Sequence, residues 1–205
     1  MAITYPLSLP TVAGIRSVEF RASNAVAYSA SPFTFSGQAH KYPGQMWIAD
    51  ITLPPMNNRA DAEEWNAFLL SLNGQAGTFL LGDPNGTRSR GLASVFLGNP
   101  VITNQTGGTI SVTGASVSKN NWLLPGDYIQ IGAASTATLH KVLQAASTDA
   151  SGNVTLEIWP GVRGTRSGAI TVDDCKGLFR LSSNETGWAA DIQQYSITFG
   201  AREAI

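Results

Sequence analysis

The side chains able to do chemistry are few and poorly placed for it. There are two histidines, His40 and His140, each followed by a lysine in an alternating, strand-like stretch. Neither has a Cys, His or carboxylate at metal-ligand spacing, so the sequence predicts no zinc site. The single cysteine, Cys175, follows Asp173 and Asp174, and carboxylates beside a thiol disfavour the reactive thiolate. Glu63-Glu64 and Asp173-Asp174 are adjacent in sequence, whereas a glycosidase needs two carboxyls facing each other across a cleft. They read more simply as the polar face of a helix and as a turn. Gly82-Asp83-Pro84-Asn85-Gly86 lacks the alternating ligands and terminal Glu of a calcium loop and reads as a turn. No nucleophile elbow, phosphate loop or dinucleotide fingerprint is present. The expectation is a protein that is not an enzyme and uses no metal and no cofactor.

Aromatic residues are the remaining candidates for function. Trp47, Trp65 and Trp159 lie in patterned elements and fit a core. Trp122 follows Lys119-Asn120-Asn121 and precedes an apolar pair at a Pro-Gly turn. It is the candidate glycan contact, with Trp188 a second exposed aromatic of the same kind. Phe33, Phe35 and Tyr42 sit in a turn-rich stretch where an isolated chain gains nothing from them, so they point to a subunit contact. Trp47, on a long strand of the same region, is a further candidate for that contact.

These residues are positioned mostly by short strands. Val18–Ala22 alternates apolar and charged residues, the period-two mark of a half-buried strand. From Met46 to Leu53, Trp47, Ala49, Ile51 and Leu53 share one face. Near the end Tyr195, Ile197, Phe199 and Ala201 do the same. Further strands are expected at 78–81, 109–113, 128–131, 138–143, 154–159, 169–172 and 177–181. Turn clusters are expected at 82–86, 105–108 and 149–153, and a linker or exposed loop at 161–168. One segment changes period: Ala62, Trp65, Phe68, Leu69 and Leu72 line one face of a helix over 58–72. Asn58 is placed to cap it, Asp61, Glu63 and Glu64 to complement its dipole, and Asn73-Gly74 to end it.

Charge is scarce throughout. Only 13% of the 205 residues are charged, against about a quarter in ordinary soluble domains. Thirteen basic and fourteen acidic residues nearly cancel, so nothing predicts specific nucleic-acid binding. No apolar run is long enough to span a bilayer, and Met1–Pro6 shows neither the basic nor the apolar part of a secretory leader. Depleted charge fits a β-protein solubilised by hydroxyls and amides. It also fits a surface buried against other subunits. The deficit is deepest over 94–168, a Gly/Thr/Ser/Asn-rich stretch that opens a new series of strands. The expected organisation is therefore a discontinuous body, 1–93 with 169–205, holding an inserted small β-domain at 94–168.

Several runs resemble one family. They are Leu53-Pro54-Pro55-Met56, Ala62 through Gln75, Gly77 through Pro84, Leu124 through Gly132, Leu139 through Val142 and Ile158-Trp159-Pro160. The closing Ser183-Asn184-Glu185 with Trp188 belongs with them. In spacing and residue type the chain is similar to the distal and minor tail proteins of bacteriophages with long, non-contractile tails. The resemblance implies a tube-protein-like β-barrel or sandwich with one flanking helix, and an inserted barrel like an oligonucleotide-binding fold. It implies a structural virion protein of the tail tip, made in the host cytoplasm. Such a protein forms a ring, commonly a hexamer, between the tail tube protein and the hub, tip and tape-measure proteins, and lets DNA pass. The alternative is a β-module of the tail that binds carbohydrate or a host receptor.

Overall fold

A computed structural model describes residues 3–191 and 194–205; Met1 and Ala2, part of the segment examined for a leader, lie outside the described residues. The chain is mainly β with a single α-helix among the described residues. The strands are β1 (Ser17–Ala30), β2 (Gly37–Thr52), β3 (Phe79–Leu81), β4 (Gly98–Ala115), β5 (Tyr128–Ile131), β6 (Thr138–Val142), β7 (Val154–Thr171), β8 (Gly177–Leu181), β9 (Trp188–Asp191) and β10 (Gln194–Glu203). The helix, α1, spans Arg59–Ser71.

Two sheets result. The first runs β1-β2-β10-β8-β3, with β9 paired to β10. The second runs β4-β7-β5-β6. Strand β7 pairs with β6 through Ile158 and Trp159 and with β5 through Ile170 and Thr171. Since β5 also pairs with β6, the second sheet curls round on itself.

The alternation read from the sequence sets the core of the first sheet. Trp47, Ala49, Ile51 and Leu53 are buried on β2 and the loop after it, and Ile197, Phe199 and Ala201 on β10. Helix α1 lies on this layer through the face its period marks: Ala62, Trp65, Phe68, Leu69 and Leu72 are all buried. Trp65 meets Phe68 and Phe199, and Phe68 meets Phe79, with centroid distances of 5.7–6.2 Å. Burial of each such side chain is worth about 1.5–3 kcal/mol. The Asn58 side chain caps the helix by accepting from the Ala60 N–H at 3.0 Å. Asn73 and Gly74 follow its end with φ of 48° and 65°, the left-handed turn that stops a helix. Asp61 is in the first turn; Glu63 and Glu64 fall one turn later, where Glu63 pairs with Arg59.

The second sheet encloses a separate apolar cluster that includes Ile102, Ile110, Trp122, Leu123, Ile129, Leu156 and Ile170. Here two expectations change. The turn at 105–108 and the loop at 161–168 both lie inside long strands, β4 and β7, which pair with each other there. Glycine makes this possible: Gly107 and Gly164 have φ of 84° and 64°, and the ladder shifts register on both sides of Gly107. The glycines bulge the ribbon instead of ending it. Strand β9, which the sequence pattern did not mark, is exposed along its length.

Candidate functional site

The residues best placed to act on another molecule are on the first hairpin. Strands β1 and β2 form one antiparallel ribbon from Ser17↔Thr52 to Ala30↔Gly37. Its lower part belongs to the first sheet, where β2 is also paired with β10 over Ile48–Thr52. Above Gln45, β2 has β1 as its only strand partner among the described residues. From Asn24 to Gly44 every residue is exposed except Ser31, which is half-buried. The upper ribbon is an arm standing free of the body.

The arm is apolar for an exposed element. Val26, Tyr28 and Ala30 share a face with Ala39, and His40 stacks edge-on against Tyr42 at 4.7 Å on the other. Between Arg21 and Asp50 the only charged side chain is Lys41. At the tip Phe33 is 92% exposed and Phe35 87% exposed. The Ser31 hydroxyl accepts from the Phe33 and Thr34 N–H groups, and its carbonyl accepts from Phe35, which holds the turn that presents the two rings. The Tyr28 ring lies across the ribbon over Gly37: a Cβ there would lie 2.1 Å from the Tyr28 hydroxyl and would push the ring aside. The sequence pattern pointed to Phe33, Phe35 and Tyr42 but missed Val26 and Tyr28. Their signal was the uncharged, strand-forming run Ala25-Val26-Ala27-Tyr28.

Two aromatic assignments are corrected. Trp47 is only 5% exposed. It packs against Phe20 and Trp159 and donates its indole N–H to the Leu139 carbonyl at 2.9 Å. It joins the two sheets within one chain and has no surface left for a subunit contact. Trp122 is 0% exposed, with its indole N–H on the Phe96 carbonyl at 2.9 Å. A sugar stacks on an open ring face, and Trp122 has none. Leu123 and its apolar neighbours carried it into the core of the second sheet. Trp188 on β9 is exposed.

Beneath the arm is a polar joint that the sequence did not signal. The Glu203 carboxylate is buried and accepts two hydrogen bonds from the Arg163 guanidinium, at 2.8 and 2.7 Å, and one from the Trp47 backbone N–H. Arg163 also donates to the Gln45 carbonyl. The Gln45 side chain accepts from Gly161 N–H at 2.9 Å, and Asn24 accepts from the Trp159 indole at 2.7 Å. Alternate residues of β7 thus grip Asn24 and Gln45, which face each other at the foot of the arm.

The remaining reactive groups are locked in structural roles. His140 is buried, with Nδ1 2.6 Å from the Pro160 carbonyl and Nε2 2.9 Å from the Thr138 hydroxyl. The carbonyl fixes the proton on Nδ1, and Nε2 accepts from Thr138. Burial pushes the imidazole down to about 4, against an opposing pull from the Pro160 carbonyl and Glu203. Burial, then the Asp173 carboxylate, pushes the Cys175 thiol up to about 12. Asp127 is buried and accepts from the Arg90, Gly91 and Leu124 backbone N–H groups, organising the crossing into the second sheet. No group of three or more metal-ligating side chains occurs among the described residues.

Two clefts flank the foot of the arm. One, of 410 Å³, is lined by Asn24, Ala25, Pro43, Met46, Arg163 and Ile205, among others. The other, of 400 Å³, lies between the arm at Lys41, Pro43 and Gln45 and the glycine-rich β4–β7 ribbon at Gly107, Gly161 and Gly164. No family model and no curated protein matches the chain.

Proposed function

We propose that the chain is a structural subunit of a bacteriophage tail tip, assembling as a ring that joins the tail tube to the distal tip and lets the genome through. The observation that carries this reading is the arm. A two-stranded ribbon without a third strand or a packed face is marginal in water. This one has aromatic residues at its tip, apolar residues on its sides and almost no charge. Such a surface has the composition of an interface core. A second copy of the chain is the occupant we assign, with the arm of one subunit gripping the next round the ring. A head-to-tail contact of this kind closes by rotation.

Surface area supports the same reading. The chain exposes 11208 Å². A compact monomer of 21.6 kDa exposes about 9,200 Å². The excess of about 2,000 Å² measures the departure from a compact shape that a protruding arm produces, surface that docking on a neighbour would cover. The resemblance in residue pattern supplies the setting, with the tail tube, hub and tape-measure proteins as neighbours. Near-zero net charge suits a conduit that must release DNA. The carbohydrate-binding alternative loses Trp122, which is enclosed, and keeps only Trp188 as an exposed aromatic of the kind it named.

Mass photometry and electron microscopy of the purified protein at high concentration test the proposal, alongside reconstruction of intact tails. A closed ring that is lost on Phe33→Ser/Phe35→Ser supports it. A monomer at every concentration, together with no matching density at the tail tip, overturns it.

A further inference from the structure

The ladder of the first hairpin is broken at one place. Asn24 pairs with Gln45, and the next pair is Val26 with Lys41. Ala25 alone therefore faces three residues, Tyr42, Pro43 and Gly44. Pro43 has no N–H to give a ladder. Gly44 fits because a Cβ there would lie 3.1 Å from the Ala25 Cβ. Immediately below the break, β7 fixes the ribbon through Asn24 and Gln45, by hydrogen bonds from Trp159, Gly161 and Arg163. Immediately above it, the support ends. Every hydrogen bond made by residues 26–41 stays within the arm, among the described residues. The two clefts of 410 and 400 Å³ lie beside the break, both lined by Pro43.

We propose that Ala25 opposite Tyr42–Gly44 is a hinge, and that the arm beyond it swings as one stiff ribbon between the two flanking clefts. Three features combine to make it one. The foot is clamped, the arm is internally paired across Val26–Ala30 and Gly37–Lys41, and the junction carries the fewest ladder bonds. Bending concentrates where pairing is weakest, so the arm moves about one point instead of fraying along its length. The hinge stands whatever the arm grips; it would let one subunit meet neighbours at slightly different angles.

The test is a distance distribution by pulsed electron spin resonance. Ketone-bearing amino acids carry the labels at positions 36, on the arm, and 155, on the second sheet, leaving thiols free for a lock. A control pair at positions 19 and 155 spans the body alone. The lock is Ala25→Cys with Gly44→Cys. A disulfide needs Cβ atoms about 3.5–4.5 Å apart, so the 3.1 Å separation has to widen by a few tenths of an ångström to accept the bond. Cys175 is buried and does not compete. A second variant deletes Pro43 and Gly44, which sets one residue against one and lets the ladder run through.

The expected result is a 36–155 distribution about twice as wide as the control, on the scale of collective hinge motions. It narrows to the control width when the lock is oxidised, returns when it is reduced, and stays narrow in the deletion. A distribution as narrow as the control in the unlocked chain overturns the hinge. So does a wide one that neither the lock nor the deletion narrows, because the motion then lies within the arm.

Discussion

The two halves of the first hairpin make a controlled comparison. Both are the same two antiparallel strands, and they differ in residue type and in what surrounds them. In the lower half Val18 and Phe20 face the core with Trp47, Ala49 and Ile51, while Glu19, Arg21 and Asp50 face solvent, with Arg21 paired to Asp50. In the upper half Val26, Tyr28, Ala30 and Ala39, with Lys41 opposite Val26, continue the same side of the ribbon, but no layer of the described residues packs on them. Their opposite side is Ala27, Ser29, Gln38 and His40, with no carboxylate, lysine or arginine among them. Alternation of apolar with charged residues marks a strand whose second face stays in water. Alternation of apolar with neutral polar residues marks one whose two faces are both suited to burial. The low charge of the chain thus has a location beyond its Gly/Thr/Ser-rich middle: the arm.

The comparison can be broken most severely in the lower half. Trp47→Ala removes the packing against Phe20 and Trp159 and the bond to Leu139, and should cost about 3–5 kcal/mol in a urea titration. Acid loosens the same region more gently. His140 is held neutral by burial, with a folded value of about 4 against 6.5 unfolded. The unfolded chain therefore binds the extra proton first, so this stability is full above pH 6.5 and is lost as pH falls from 6.5 toward 4. The loss across that window is about 3 kcal/mol. It should show as a falling urea midpoint that His140→Gln flattens.

Smaller effects sharpen the contrast. Helix α1, on the core of the first sheet, buries Asn66, and neither atom of its amide has a hydrogen-bond partner among the described residues. Asn66→Leu should raise stability by about 1 kcal/mol, read as a higher thermal midpoint. In the upper half, Phe33→Ser/Phe35→Ser should change monomer stability by less than about 0.5 kcal/mol while abolishing the ring. A large loss of monomer stability would mean that the tip packs on its own body.

Legibility followed the range of the interactions involved. Helix α1 was readable to within a residue because its period, cap and stop are local. The cores of β2 and β10 were readable because alternation is local too. The continuity of β4 and β7 was not, since glycine signals a turn unless a partner strand holds its bulge in register. Trp122 looked exposed beside Lys119 and Asn120, yet the fold encloses it. Trp47 was read both as patterned into a core and as a subunit contact; only the first survives, and no local feature showed that this core also reaches the second sheet.

What the sequence determined by itself was the class of structure, mainly β with one helix. Periods of two and 3.6 are properties of neighbouring residues. Tertiary structure alone decided which surfaces remained open. Glu203 and Arg163 are forty residues apart, and Gly161 and Gln45 more than a hundred; only the packing of the second sheet on the first brings them together. The same packing clamps the foot of the hairpin and leaves the rest without a layer. Burial depends on what the rest of the chain places against a residue, and the described residues place no layer on the arm.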